Sequence, residues 1–129
     1  MQQNVINKVI NASAGTGKTY RLSLEYIALL LKFRHYASSF RETLVITFTR
    51  KATAEIRERI FLHLESITRG SDEGGKVLRN LEKILQVPLH PTDVDYLKSV
   101  YDNMLVNKSQ VQICTIDSFT QQIFAGIVA

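Results

Sequence analysis

Ala12-Ser13-Ala14-Gly15-Thr16-Gly17-Lys18-Thr19 stands between a β-branched run, Val5 to Ile10, and a segment with apolar residues at Leu22, Tyr26, Leu29, Leu30 and Phe33. The run before it stops at small residues and reads as a strand. The segment after it, from about Lys18 to Phe33, has helical spacing. Gly15 and Gly17 permit backbone angles that other residues avoid, so the turn between can curl its N–H groups inward around an anion. The first helical turn adds unpaired N–H groups and the positive end of the helix dipole. The expected occupant is a chain of phosphates held by Ala12, Ser13, Ala14, Gly15, Thr16, Gly17, Lys18, Thr19 and Tyr20. Lys18 is expected to reach the β- and γ-phosphates, and the Thr19 hydroxyl to ligate Mg²⁺. The full pattern has Gly six residues before the Lys; Ala12 stands there, as a tight turn that tolerates a methyl group allows.

Outward from this turn, strand and helix patterns alternate. Thr43 to Phe48 is a nearly continuous apolar and β-branched run, as a strand covered on both faces needs. Lys51 to Ile67 has Ala54, Ile60, Leu64 and Ile67 near helical spacing, with Glu55, Arg57, Glu58 and Arg59 between them. Arg57 and Arg59 read as a solvated helix face partnered by those carboxylates. Gly70 to Gly75 reads as a loop by composition. Helices follow around Lys76–Gln86 and from Pro91 to about Val106, then a strand at Val111–Ile116 and a helix from about Ser118. Cys114 reads as a small buried hydrophobe in that last strand. Such alternation implies crossover connections and a partial parallel sheet flanked by helices, an α/β fold of three layers.

The chain of 129 residues is at most one small domain. It ends in an apolar segment, Ile123 to Ala129, which suggests a piece of a longer protein. Its net charge is +4, from 16 Lys and Arg against 12 Asp and Glu, a sign that suits an anionic partner. One cysteine excludes an internal disulfide framework, and His35, His63 and His90 are too scattered for a metal cluster. Leu22 to Leu31 is too short to span a bilayer and contains Glu25. No secretory h-region opens the sequence, so a cytoplasmic protein with no membrane partner is the expectation.

Three blocks in order narrow the reading. Ala12 to Thr19 resembles motif I of the superfamily 1A (UvrD/Rep-like) DNA helicases, usually Ala-x-Ala-Gly-[Ser/Thr]-Gly-Lys-Thr. Thr47-Phe48-Thr49-Arg50-Lys51-Ala52-Thr53-Ala54-Glu55-Ile56-Arg57-Glu58-Arg59-Ile60 is similar to motif Ia, usually Thr-Phe-Thr-Asn-Lys-Ala-Ala-x-Glu-Met-x-x-Arg-Ile. Thr115-Ile116-Asp117-Ser118-Phe119 looks like motif Ib, usually Thr-x-His-Ser-Phe. In style the blocks look more like the RecB and AddA helicase-nuclease branch than the UvrD/Rep branch. The resemblance implies a P-loop NTPase of RecA-like fold, with residues 1–129 the N-terminal part of the helicase ATPase domain, ending before the Walker B strand. It implies ATP with Mg²⁺ as cofactor, single-stranded DNA as partner, and a helicase-nuclease partner subunit.

The residues carry a physical reading of their own. Hydroxyls of Thr47 and Thr49 at a strand end, with the next helix N-terminus, can hold a DNA phosphate. Arg50 and Lys51 add salt-sensitive attraction. Phe48 offers a stacking face worth ~1–3 kcal/mol per base, or else packs the core at a strand end. Thr115, Ser118 and Phe119 are the second set of DNA candidates. Asp117 stands where the family usually has His and is read as the cap of the helix beginning at Ser118, not as Walker B. Asp72-Glu73 has Walker B letters but no preceding strand. Lacking that carboxylate, the chain is expected to bind ATP without useful turnover. Gln2 and Gln3 sit too near the first strand to be assigned an adenine contact. A small P-loop kinase and a non-catalytic nucleotide- or DNA-binding module are the competing readings.

Overall fold

The computed structural model describes residues 8–9, 17–34, 40 and 43–128, with the backbone alone at 8–9 and 126–128. The glycine-rich turn from Ala12 to Thr16, and Gln2 and Gln3, lie outside the described residues. Three short strands, β1 (Lys8–Val9), β2 (Val45–Thr47) and β3 (Ile113–Thr115), lie side by side in chain order. All pair in parallel, with Lys8 opposite Val45 and Thr47 opposite Thr115. Helix α1 (Gly17–Lys32) follows β1, α2 (Arg50–Arg69) follows β2, and α5 (Ile116–Val128) follows β3. Between α2 and β3 run α3 (Asp72–Leu85), α4 (Pro91–Val106) and a 3-10 turn at Lys108–Gln110. The architecture is α/β, mostly helical, around a small parallel sheet.

Successive strand residues face opposite sides, and Val45, Ile46 and Thr47 are all buried. β2 is therefore covered on both faces, as its apolar run requires. α2 is the hub of the fold. It packs on α1, α3 and α4 and on both β2 and β3, burying Ala52, Ile56, Ile60, His63, Leu64 and Ile67. Thr49 caps its start by accepting the Ala52 N–H at 3.0 Å. Gly70, at φ 67°, ends it in the left-handed region.

α1 departs from the expected single stripe. Leu24, Tyr26, Ile27, Ala28, Leu30 and Leu31 are all buried, while Leu22, Leu29 and Phe33 are only half-buried. The helix packs against both α2 and α3, so burial extends around most of its circumference. Arg34, just beyond its end, donates to Asp93 Oδ1, and Asp93 Oδ2 accepts the His90 N–H at 2.8 Å. This buried carboxylate ties the end of α1 to the start of α4.

Gly70 to Gly75, expected as a loop throughout, is a loop only at Gly70 and Ser71. Helix α3 begins at Asp72, with Ser71 accepting the Gly74 N–H at 3.1 Å. The glycines mislead because Gly74 serves packing: a Cβ built there would lie 2.2 Å from the Ser66 carbonyl oxygen. Its missing side chain lets α3 fold back onto the end of α2.

The Tyr26 hydroxyl is buried with no hydrogen-bond partner among the described residues. Burial pushes its phenol well above the usual range, with the Arg57 charge opposing. Tyr26→Phe removes only an unsatisfied group. It is expected to leave urea stability unchanged or raise it by up to about 1 kcal/mol; a loss of similar size would show that the hydroxyl is satisfied in solution.

Candidate functional site

Because the three strands are parallel, their carboxyl ends share one edge, and α2 and α5 start there, close behind the ends of β2 and β3, while α1 is the helix that follows β1 in the chain. Such an edge gathers unpaired N–H groups and positive dipole ends. On α1, Gly17, Lys18 and Thr19 form the first turn; Lys18 is exposed and Thr19 is 1% accessible. Tyr20 turns its side chain away, toward the helical layer. Its hydroxyl accepts from Asn80 Nδ2 at 2.9 Å, His63 meets its ring edge-on at 5.1 Å, and Arg59 lies 6.0 Å from the ring centre.

At the β2 end, the Thr47 hydroxyl does not face solvent. It is fully buried, within reach of Thr53 Oγ1 at 2.5 Å, the Thr49 carbonyl at 3.1 Å and the Cys114 carbonyl at 3.5 Å. It fixes the turn that carries Phe48. Phe48 itself is 53% accessible, so its ring stands in solvent and not in the core. Thr49, Arg50 and Lys51 are exposed beside it.

At the β3 end, Thr115 is the cap of α5. Its hydroxyl accepts the Ser118 N–H at 3.2 Å and bonds Ser118 Oγ at 3.0 Å. The helix begins at Ile116, two residues before the expected start, so the capping role read for Asp117 belongs to Thr115. Asp117 is exposed in the first turn, where the helix dipole favours a carboxylate. Ser118 and Phe119 are half-buried. The register that sets Thr47 opposite Thr115 brings the two blocks together around a depression of about 230 Å³, lined by Phe48, Arg50, Thr115, Asp117, Ser118 and Gln121. Gln121 escaped sequence reasoning. Its signal was available, since four residues beyond Asp117 is the same helix face.

Arg57 is likewise not a solvated partner of Glu55 and Glu58. Its guanidinium donates to the carbonyls of Val111 at 3.1 Å, Ile113 at 3.3 Å and Lys108 at 3.4 Å, stitching α2 to β3. Cys114, in β3, is partly buried, and burial raises its thiol pKa.

Behind the α1 turn, His63 Nε2 lies 3.0 Å from Ser23 Oγ, which donates to the Tyr20 carbonyl at 2.6 Å. Burial, helped by the Arg59 charge and opposed by Glu73, lowers the His63 pKa to about 4. The unfolded chain, with an ordinary histidine, takes up the proton first as pH falls. Stability is therefore fully present above about pH 6.5 and is lost as pH drops toward 4. The expected loss is about 2 kcal/mol, measured by urea unfolding across that range. A His63→Gln variant showing the same pH slope would assign the loss to other groups.

The chain belongs to the UvrD/REP helicase N-terminal domain family, whose model matches residues 2–127. It is 47% identical over 58 residues to the RecBCD enzyme subunit RecB of Escherichia coli, covering 41% of this chain and 5% of that protein. A RecB subunit of Buchnera aphidicola subsp. Baizongia pistaciae is 30% identical over 121 residues, 89% of this chain and 10% of its own length. An ATP-dependent helicase/nuclease subunit of Streptococcus agalactiae is 31% identical over 117 residues, 91% of this chain and 8% of that protein. The chain thus spans a tenth or less of these relatives. No solved structure matches it. Among the described residues, no helix is long and apolar enough to cross a membrane.

Proposed function

We propose that this chain is the opening part of a RecA-like, three-layer P-loop ATPase domain of an ATP-dependent single-stranded-DNA translocase of the helicase-nuclease type. The observation that carries the reading is the shared sheet edge. There the β2 and β3 ends bring together an exposed aromatic ring and exposed cations, and Lys18 and Thr19 stand in the first turn of the helix that follows the neighbouring parallel strand β1. Family membership and relatives named as helicase/nuclease subunits support it.

In this reading Ala12 to Tyr20 hold ATP through the backbone of the turn and the α1 N-terminus. Lys18 neutralises the terminal phosphates, and Thr19 ligates Mg²⁺. The donor set suits that group: an ammonium and a hydroxyl in the first turn of a helix that leaves a parallel strand. Bound ATP supplies the free energy that closes and reopens paired RecA-like domains. The residues of the chain bind and orient. Thr49, Arg50, Lys51 and Ser118 hold DNA phosphates, Phe48 stacks a base, and Thr47, Thr115 and Phe119 set the two strand ends in place. Asp117 has no part in hydrolysis and Asp72 and Glu73 begin α3, so the chain binds ATP without sustained turnover. A helicase-nuclease partner subunit completes the assembly, in the cytoplasm.

The test is binding of labelled oligodeoxythymidine, followed by anisotropy at increasing salt. Log affinity should fall steeply with log salt as counterions are released, and Phe48→Ala should weaken binding about tenfold. The unaltered chain should keep its circular dichroism throughout. A folded chain that binds ATP with no DNA affinity would instead favour a small P-loop kinase.

A further inference from the structure

The depression between the ends of β2 and β3 is lined by more than a phosphate track requires. Phe48 presents an exposed ring from one side. Asp117 and Gln121, four residues apart on α5, bring a carboxylate and an amide from the other, and Arg50 adds a cation. Among the described residues, no hydrogen bond or ion pair engages the side chains of Asp117, Gln121 or Arg50. The Thr115 hydroxyl, in contrast, is committed to the helix cap, accepting the Ser118 N–H and donating to Ser118 Oγ. A volume of about 230 Å³ is too small for a nucleoside triphosphate and suits a single base.

The chemistry of that lining is selective. A carboxylate only accepts hydrogen bonds, so it is satisfied by an amino edge and opposed by a carbonyl edge. Asp117 also repels the phosphates on either side, so its presence costs general affinity that Arg50 partly offsets.

We propose that the depression takes one base of a single strand against Phe48, and that Asp117, assisted by Gln121, selects a base whose edge carries an exocyclic amino group, cytosine over uracil or thymine. This rests on the single-stranded-DNA reading above. Contacts of carboxylates with the cytosine amino group are a recognised means of base discrimination.

The test compares anisotropy binding of labelled oligodeoxycytidine and oligodeoxyuridine, homopolymers differing only at the ring edge, at one fixed low salt concentration. The full 129-residue chain is expected to bind the cytidine strand about threefold to tenfold more tightly. Asp117→Asn and Asp117→Ala, at an exposed position, should fold normally by circular dichroism, bring the two strands within about twofold and strengthen uridine binding. Phe48→Ala should weaken both strands alike. Equal binding of the two strands by the unaltered chain overturns the base selection while leaving the DNA reading intact. So does a cytidine preference that survives both Asp117 variants. Failure to bind either strand overturns both readings together.

Discussion

Gly74→Ala lowers the stability of the chain by about 3 kcal/mol or more, whereas Gly75→Ala, one residue on, raises it by up to about 1 kcal/mol. The two glycines share a helix, α3, and neither adopts a positive φ. At Gly74 a Cβ would sit 2.2 Å from the Ser66 carbonyl oxygen, 2.6 Å from its carbon and 2.9 Å from the Ile67 nitrogen. These are backbone atoms of α2, which cannot swing aside as a side chain does. The two helices must separate, disturbing the one core in which Ile67 of α2 and Val77 of α3 are both buried. At Gly75 the nearest atom is the flexible end of Arg79, at 3.5 Å. There alanine only removes conformational freedom from the unfolded chain. Urea unfolding of both variants with equal m-values decides the matter. Gly74→Ala within about 1 kcal/mol of the unaltered chain would mean that α2 and α3 do not pack through this glycine.

Lys18→Ala is expected to weaken ATP binding by about 30- to 150-fold with the fold unchanged. Lys18 is exposed in the first turn of α1, so truncation there leaves the core untouched. A charge-assisted contact to phosphate is worth about 2–3 kcal/mol, and that interval is the fold-change given. Titration with a fluorescent ATP analogue, with and without Mg²⁺, measures it. Unchanged affinity would remove Lys18 from the site. Sustained Mg²⁺-dependent hydrolysis by the unaltered chain, abolished in Lys18→Ala, would instead show that the chain holds a complete hydrolytic set and would overturn the proposed lack of turnover.

The elements were legible because each rests on local pattern. Thr43 to Phe48 and Val111 to Ile116 contain β2 and β3, and Lys18 to Phe33 coincides with α1 to within a residue at each end. The cap at Thr115 was missed by two residues because Asp and Thr both cap well, and only the backbone direction at the strand end chooses between them. The start of α3 was missed because glycine signals a turn locally, while here it answers a neighbour outside its own helix.

By itself, then, the sequence determined the order of strands and helices and the residue types at each strand end. Periodicity and capping act over a few residues, and those are visible in one dimension. Only the tertiary structure decided where the polar groups go. It turned Thr47 inward to Thr53 and the Cys114 carbonyl. It sent Arg57 to the carbonyls of Val111 and Ile113, and it set Phe48 across from Asp117 and Gln121. Most of these pairings join segments that are far apart in the chain. The parallel register of β2 and β3 creates the adjacency, and a buried donor or acceptor must then find its partner there, because leaving it unpaired costs more than any local preference supplies.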